Sequence, residues 1–175
     1  MRKTSFILVS TVALSSLILT GCGKSSDGSN TSAGNETNLT ENAAASASTA
    51  FGSSLKLGSN VTILLSTPAN FKPTVFASNF QQGWVANKIE VTLTNNGKTP
   101  LETSAIAFAT KSGENVCTDI LDGDNGINGA PTTALAAGAS ETFLIGVGCD
   151  AKPGAPLEVT ATIGTDVVAV KGTLA

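Results

Sequence analysis

The chain has 175 residues, of which 41% are hydrophobic and 13% charged, and its net charge is −3. It contains no His, which excludes Ser-His-Asp and Cys-His catalysis and any histidine-ligated zinc or copper site. Positions 1–54 balance three cations against three acids, and the seven lysines and ten acidic residues beyond them carry the −3. No basic patch for nucleic acid results.

The N-terminus opens on Met1-Arg2-Lys3, followed by an apolar run of 14 residues over 6–19. That is short for a bilayer span but suits the apolar region of a signal peptide. The run ends in Leu19-Thr20-Gly21-Cys22, which resembles the bacterial lipobox. The resemblance implies cleavage after Gly21 and a diacylglyceryl thioether on Cys22. Small residues let a peptidase reach the backbone, and the thiol is the nucleophile for lipid transfer. Two acyl chains hold a protein on a membrane where a single chain binds only reversibly.

Residues 22–54 read as the lipidated Cys22 and a flexible linker. Of the 32 positions from 23 to 54, 26 are Gly, Ser, Thr, Asn or Ala. Such a segment buries too little apolar surface to offset its ordering entropy. As a flexible coil it reaches roughly 30 Å. The Ala-rich piece 43–50 has some helical tendency but is too short to hold a helix alone.

From residue 55 the pattern changes to apolar alternations separated by turn residues, so 55–175 is expected to form one domain. Strands are predicted at 61–66, 85–94, 101–110, 141–149, 157–164 and 166–174. Over 85–94, Ile89, Val91 and Leu93 fall on one face and Glu90, Thr92 and Thr94 on the other. Over 101–110, Ile106 and Phe108 face the same way. Asn95-Asn96-Gly97 is expected to supply a turn that tolerates positive φ, and Gly164-Thr165 to close a hairpin. The fold class expected is all-β, an antiparallel β-sandwich of immunoglobulin-like size. Once Cys22 is lipidated, Cys117 and Cys149 remain, and an extracellular address makes a structural disulfide the natural reading. Its loop of about 33 residues would be worth roughly 3–4 kcal/mol in the chain-entropy account. The spacing from Trp84 to Cys117 differs from that of the pin between antibody sheets.

Over about 57–164 the chain resembles a small immunoglobulin-like domain of unknown function found in Gram-positive, especially actinobacterial, lipoproteins and grouped with telokin-like extracellular modules. The residues that carry the resemblance are VTLTNNGKTPLE (91–102), LDGDNGINGAPTTALAAGASETF (121–143) and the lipobox with its linker. The turn at Ala137-Gly138 departs from the family's common Pro. The resemblance implies an anchored β-sandwich without established catalytic residues, held on the extracellular side of the cell membrane.

Two clusters invite a functional reading. Asp119, Asp122, Asp124, Asn125 and Asn128 lie among glycines and offer oxygen donors for calcium. An EF-hand is ruled out, because counting from Asp122 the fifth position is Gly126 and the twelfth is Thr133. The competing reading is a solvated turn region. Phe71, Phe76, Phe80 and Trp84 could line a glycan-binding or protein-binding face, but such residues more often fill the sandwich core or cover its open edge, and the core is the preferred expectation. No cofactor and no enzymatic activity are expected. The function read from the sequence is a lipid-anchored adhesion or interaction module with an envelope protein as partner. A carbohydrate-binding or calcium-binding envelope module is the alternative.

Overall fold

In Val85–Asn95, side chains of alternate residues are driven to opposite faces by the pleat, so Ile89, Val91 and Leu93 are buried together. The same two-residue period repeats through the chain. In the computed structural model, which describes residues 45–175, it builds eleven strands. They are β1 (Ala47–Ala50), β2 (Ser54–Lys56), β3 (Val61–Leu65), β4 (Ala69–Asn70), β5 (Val85–Asn95), β6 (Ile106–Ser112), β7 (Asn115–Val116), β8 (Thr118–Ile120), β9 (Ser140–Cys149), β10 (Pro156–Ile163) and β11 (Asp166–Thr173). The signal peptide, Cys22 and the linker up to residue 44 lie outside the described residues.

The strands form two sheets. One has the order β1-β11-β10-β6-β7. The other has the order β2-β3-β5-β9-β8, with β4 continuing the pairing on β5. Every pairing is antiparallel except β1 with β11. The expected antiparallel β-sandwich is therefore the observed architecture, with one parallel pair at an edge. Between the sheets lies a continuous apolar core that includes Ile63, Leu65, Ile89, Leu93, Leu157 and Ile163. Each such side chain contributes about 1.5–3 kcal/mol by leaving water.

The chain passes from one sheet to the other at both lateral edges. Between β1 and β2, the Phe51 N–H donates to Lys171 O of β11 and the Gly52 N–H donates to Leu65 O of β3. Between β7 and β8, the Cys117 N–H donates to Thr110 O of β6, while its Sγ is bonded to that of Cys149 at the end of β9. The disulfide expected from the sequence is present, with the Sγ atoms 2.05 Å apart. It differs from a pin through the middle of a sandwich, because it fastens a crossover point to the neighbouring sheet.

Several expectations need correction. The linker does not extend to residue 54: Ala47–Ala50, taken as linker with some helical tendency, is a strand in register with Val168–Lys171. Sheet pairing by β11 overrides the local Ala preference. The strand predicted from 101 begins at Ile106, after a 3-10 turn at Thr103–Ala105. The Thr103 hydroxyl donates to Thr133 O and holds that turn. The turn at 95–97 uses no left-handed residue. Instead, buried Asn95 accepts the Gly97 N–H on Oδ1 and donates through Nδ2 to Thr99 O and Leu135 O.

Candidate functional site

Segment 71–84 joins β4 to β5, and it does not take the shortest route. It runs to the outer edge of β8. There the Ser78 N–H donates to Leu121 O, the Asn79 Nδ2 donates to Asp119 O, and the Thr118 hydroxyl donates to Asn79 O. Asn79 takes the left-handed backbone (φ 63°) that Asn tolerates well.

What the segment settles on is a second, smaller core. In β9, Phe143, Ile145, Val147 and Cys149 belong to the inter-sheet side. Gly146 and Gly148 therefore lie on the outer face. Ile120 pairs with Gly146 in register and is 1% exposed, and Ile127 is 0% exposed, yet neither joins the inter-sheet cluster. The missing side chains make this possible. A Cβ on Gly146 would lie 2.7 Å from Ile120 O and 3.1 Å from both Ile120 Cβ and Ile127 Cγ2. A Cβ on Gly148 would lie 3.2 Å from Ile120 Cδ1.

Asp122 clasps the two loops together. It is 1% exposed, and its carboxylate accepts the Thr74 N–H (2.8 Å), the Thr74 hydroxyl (2.8 Å) and the Asn125 Nδ2–H (2.8 Å). Asn125 Nδ2 also donates to Lys72 O at 3.2 Å. Burial acts to raise the Asp122 pKa, but the hydrogen bonds from Thr74 and Asn125 outweigh it and hold the carboxyl below its ordinary value of 3.8.

The calcium candidates are thus spread over different tasks. The carboxylate of Asp122 is committed to Thr74 and Asn125. Asp119 stands at the mouth of a separate cleft, and the Asn128 Oδ1 lies near Gly123. Asp124 sits in a 3-10 turn, Gly123–Asn125. Among the described residues, no group of three or more His, Cys, Asp or Glu is placed to hold a metal ion.

The aromatic residues depart from the core preference and lie instead on the segment that covers the edge of β8. Phe71, Phe80 and Trp84 are half-buried, and Phe76 is 83% exposed beside Val75 at 93%. None of the four joins the inter-sheet core. Thr74, pinned by Asp122, lies directly before this exposed pair, and Ser78, bridged to Leu121, lies directly beyond Ala77. Leu121 is itself 47% exposed.

Leu121 also lips a cleft of about 290 Å³ that opens between the sheets at the β6–β8 edge. Its walls include Ile106 and Phe108 of β6, Ile120 of β8 and Ile145 of β9. Phe108 meets Phe143 edge to face, with ring centroids 6.1 Å apart. Asp119 is the one charged residue lining the cleft. Desolvation by the surrounding protein raises its carboxyl above the ordinary value of 3.8.

The fold is similar to that of a candidate lipoprotein, ycdA of Bacillus subtilis, with a TM-score of 0.55 and 15% identity over 71% of this chain and 39% of that one. The chain thus spans well under half of ycdA. It is also similar to the yjhA protein of Bacillus subtilis, with a TM-score of 0.53 and 12% identity over 69% of this chain and 98% of that one. At these identities the likeness speaks for the sandwich fold alone. No family model matches the chain, and no curated protein matches it. The immunoglobulin-like lipoprotein family read from the sequence therefore receives no family match, whereas the β-sandwich does have solved counterparts.

Proposed function

We propose that this chain is a membrane-anchored extracellular lipoprotein whose β-sandwich is an interaction module for a cell-envelope protein. The observation that carries the reading is the apolar pair Val75–Phe76, left exposed at the tip of a segment that hydrogen bonds hold on both sides. A loop with nothing to contact has no need of two neighbouring apolar side chains in water, and a held loop loses little entropy on binding. The anchor half of the reading is supported by the lipobox at Cys22 and by the description of the structurally similar ycdA as a candidate lipoprotein. No helix among the described residues is long and apolar enough to cross a membrane. The reading is of a binding protein rather than an enzyme.

The test uses the full chain expressed in its membrane-anchored form. Val75→Ser/Phe76→Ser should lose cross-linking to a specific envelope protein that the parent chain captures, while glycan-array binding stays at background for both. Cys22→Ser should move the protein from the membrane fraction to the medium. Glycan binding that survives the double substitution would favour a carbohydrate-binding module instead. A Cys22→Ser chain still fractionating with membranes would remove the lipid anchor from the proposal.

A further inference from the structure

The cleft at the β6–β8 edge has an exposed carboxylate, that of Asp119, beside apolar side chains. Asp119 pairs in register with Val147, and residues directly opposite each other share a face of the sheet. Val147 faces the inter-sheet core and is fully buried. Asp119 therefore lies on the inter-sheet side of β8 and stays exposed at the opening that Ile106, Phe108 and Ile145 also line. Among the described residues no cation neutralises it. The two ion pairs there both belong to Glu158, which bridges Lys111 and Lys171.

An inward charge on an edge strand often serves to block pairing with another chain. That need is already met here. The outer edge of β8 is occupied by segment 71–84, whose Asn79 Nδ2 takes the Asp119 carbonyl and whose Ser78 N–H takes the Leu121 carbonyl.

Resting on the interaction-module reading, we infer that the cleft receives an arginine side chain of the protein partner, its alkyl stem along Ile106, Phe108 and Leu121 and its guanidinium on the Asp119 carboxylate. Three observations fix this choice of occupant. Charge complementarity demands a cation, since Asp119 is the sole charge in an apolar lining. The volume, about 290 Å³, leaves room for one inserted side chain. Leu121 belongs to the cleft wall, and its carbonyl accepts from Ser78 just beyond the Val75–Phe76 tip, so a partner that covers the tip passes over the cleft mouth. Arginine suits the site better than lysine, because its planar fork meets a carboxylate through two bonds and its face stacks on an aromatic ring such as Phe108. An arginine ringed by apolar contacts is a common arrangement at interface hot spots.

The experiment titrates the isotopically labelled chain with N-acetyl-arginine methylamide and, separately, with the uncharged citrulline analogue, and reads amide chemical shifts. Saturable shifts are expected at Ile106–Phe108, Asp119–Leu121 and Gly129, with the citrulline analogue at least tenfold weaker. Asp119→Asn should weaken the arginine probe by a similar factor while leaving the rest of the spectrum in place. Equal binding of both probes to the parent chain would overturn the inference, whatever the variant does. So would the absence of saturable shifts at the cleft up to concentrations on the order of 10 mM, where even a weak single-side-chain ligand registers. If the arginine titration is silent but Val75→Ser/Phe76→Ser still abolishes capture of the envelope protein, the interaction module stands and only the cleft assignment falls. If arginine binds and the double variant still captures its partner, the tip is wrongly placed and the cleft is right.

Discussion

The inter-sheet core and the small core on the outer face of β8 and β9 bury apolar side chains in opposite ways. The first is made by long strands whose alternation is written along the chain, and its contacts are shared by both sheets. The second is made by two isoleucines, Ile120 and Ile127, resting against the side-chain-free Gly146 and Gly148. It is closed by loops that one buried carboxylate clasps. The comparison teaches a division of labour. Cooperative sheet packing makes the domain, while a separately fastened platform holds the exposed Val75–Phe76 pair.

The largest effect should come from the first region. Ile89 is fully buried in the inter-sheet core, so Ile89→Ala should cost about 2–5 kcal/mol. In urea titration, strand circular dichroism and Trp84 fluorescence should shift together. If the fluorescence change came first, Trp84 would report on a platform able to open by itself, which would sharpen the comparison.

Gly146→Ala is aimed at the boundary of the two regions. Its methyl meets the Ile120 backbone, which cannot swing aside, so about 1–3 kcal/mol of overpacking strain is expected. Hydrogen exchange should rise over 118–127 before it rises in β5. Uniform loss of protection would make the two cores one cooperative unit and break the distinction.

A smaller and more local effect is expected of Asp122→Ala. Protease cleavage within 71–84 should accelerate while β5 and β10 stay protected. The acid dependence follows from the sign of the shift. The Asp122 carboxyl titrates below its ordinary 3.8 in the folded chain, so its contribution is fully present above that pH and is lost as pH falls through the lowered value. Asp166, lowered by hydrogen bonding from the Ser59 side chain and backbone N–H, acts in the same direction elsewhere. Parent and Asp122→Ala chains should therefore differ at neutral pH and converge in strong acid. A constant difference at all pH values would show that the carboxylate charge is not what holds the loops.

The smallest effect on stability should be that of Val75→Ser/Phe76→Ser, within about 0.5 kcal/mol, because neither side chain is buried. Thermal unfolding checks this directly, and a larger loss would place the pair in the fold rather than on its surface.

Much of the sandwich was legible. The period-two runs around Ile63, Ile89, Val147, Val159 and Val168 point to strands because a half-buried strand must alternate. The Cys117–Cys149 bridge was legible by elimination once Cys22 was set aside. Strand β1 was not legible, since Ala, Ser and Thr carry no alternation and are held there by β11 alone. The short β7 and β8 were hidden for a related reason: their few residues form strands only because β6 and β9 lie alongside. For the candidate site, the sequence marked Asp119, Asp122 and Phe76 and left their surroundings open. A run of Asp, Asn and Gly looks the same whether its carboxylates gather round an ion or face separate partners. Likewise, four aromatics close together look the same whether they fill a core or stand in water.

Composition and alternation determined by themselves that this is a histidine-free β-protein with a sequence resembling a lipobox and two further cysteines, because those features depend on local residue order. Only the tertiary structure decided that Asp122 is a buried clasp, that Asp119 faces an apolar cleft and that Val75 and Phe76 are left in water. Each of these follows from which distant strand or loop lies opposite, and no local pattern specifies that.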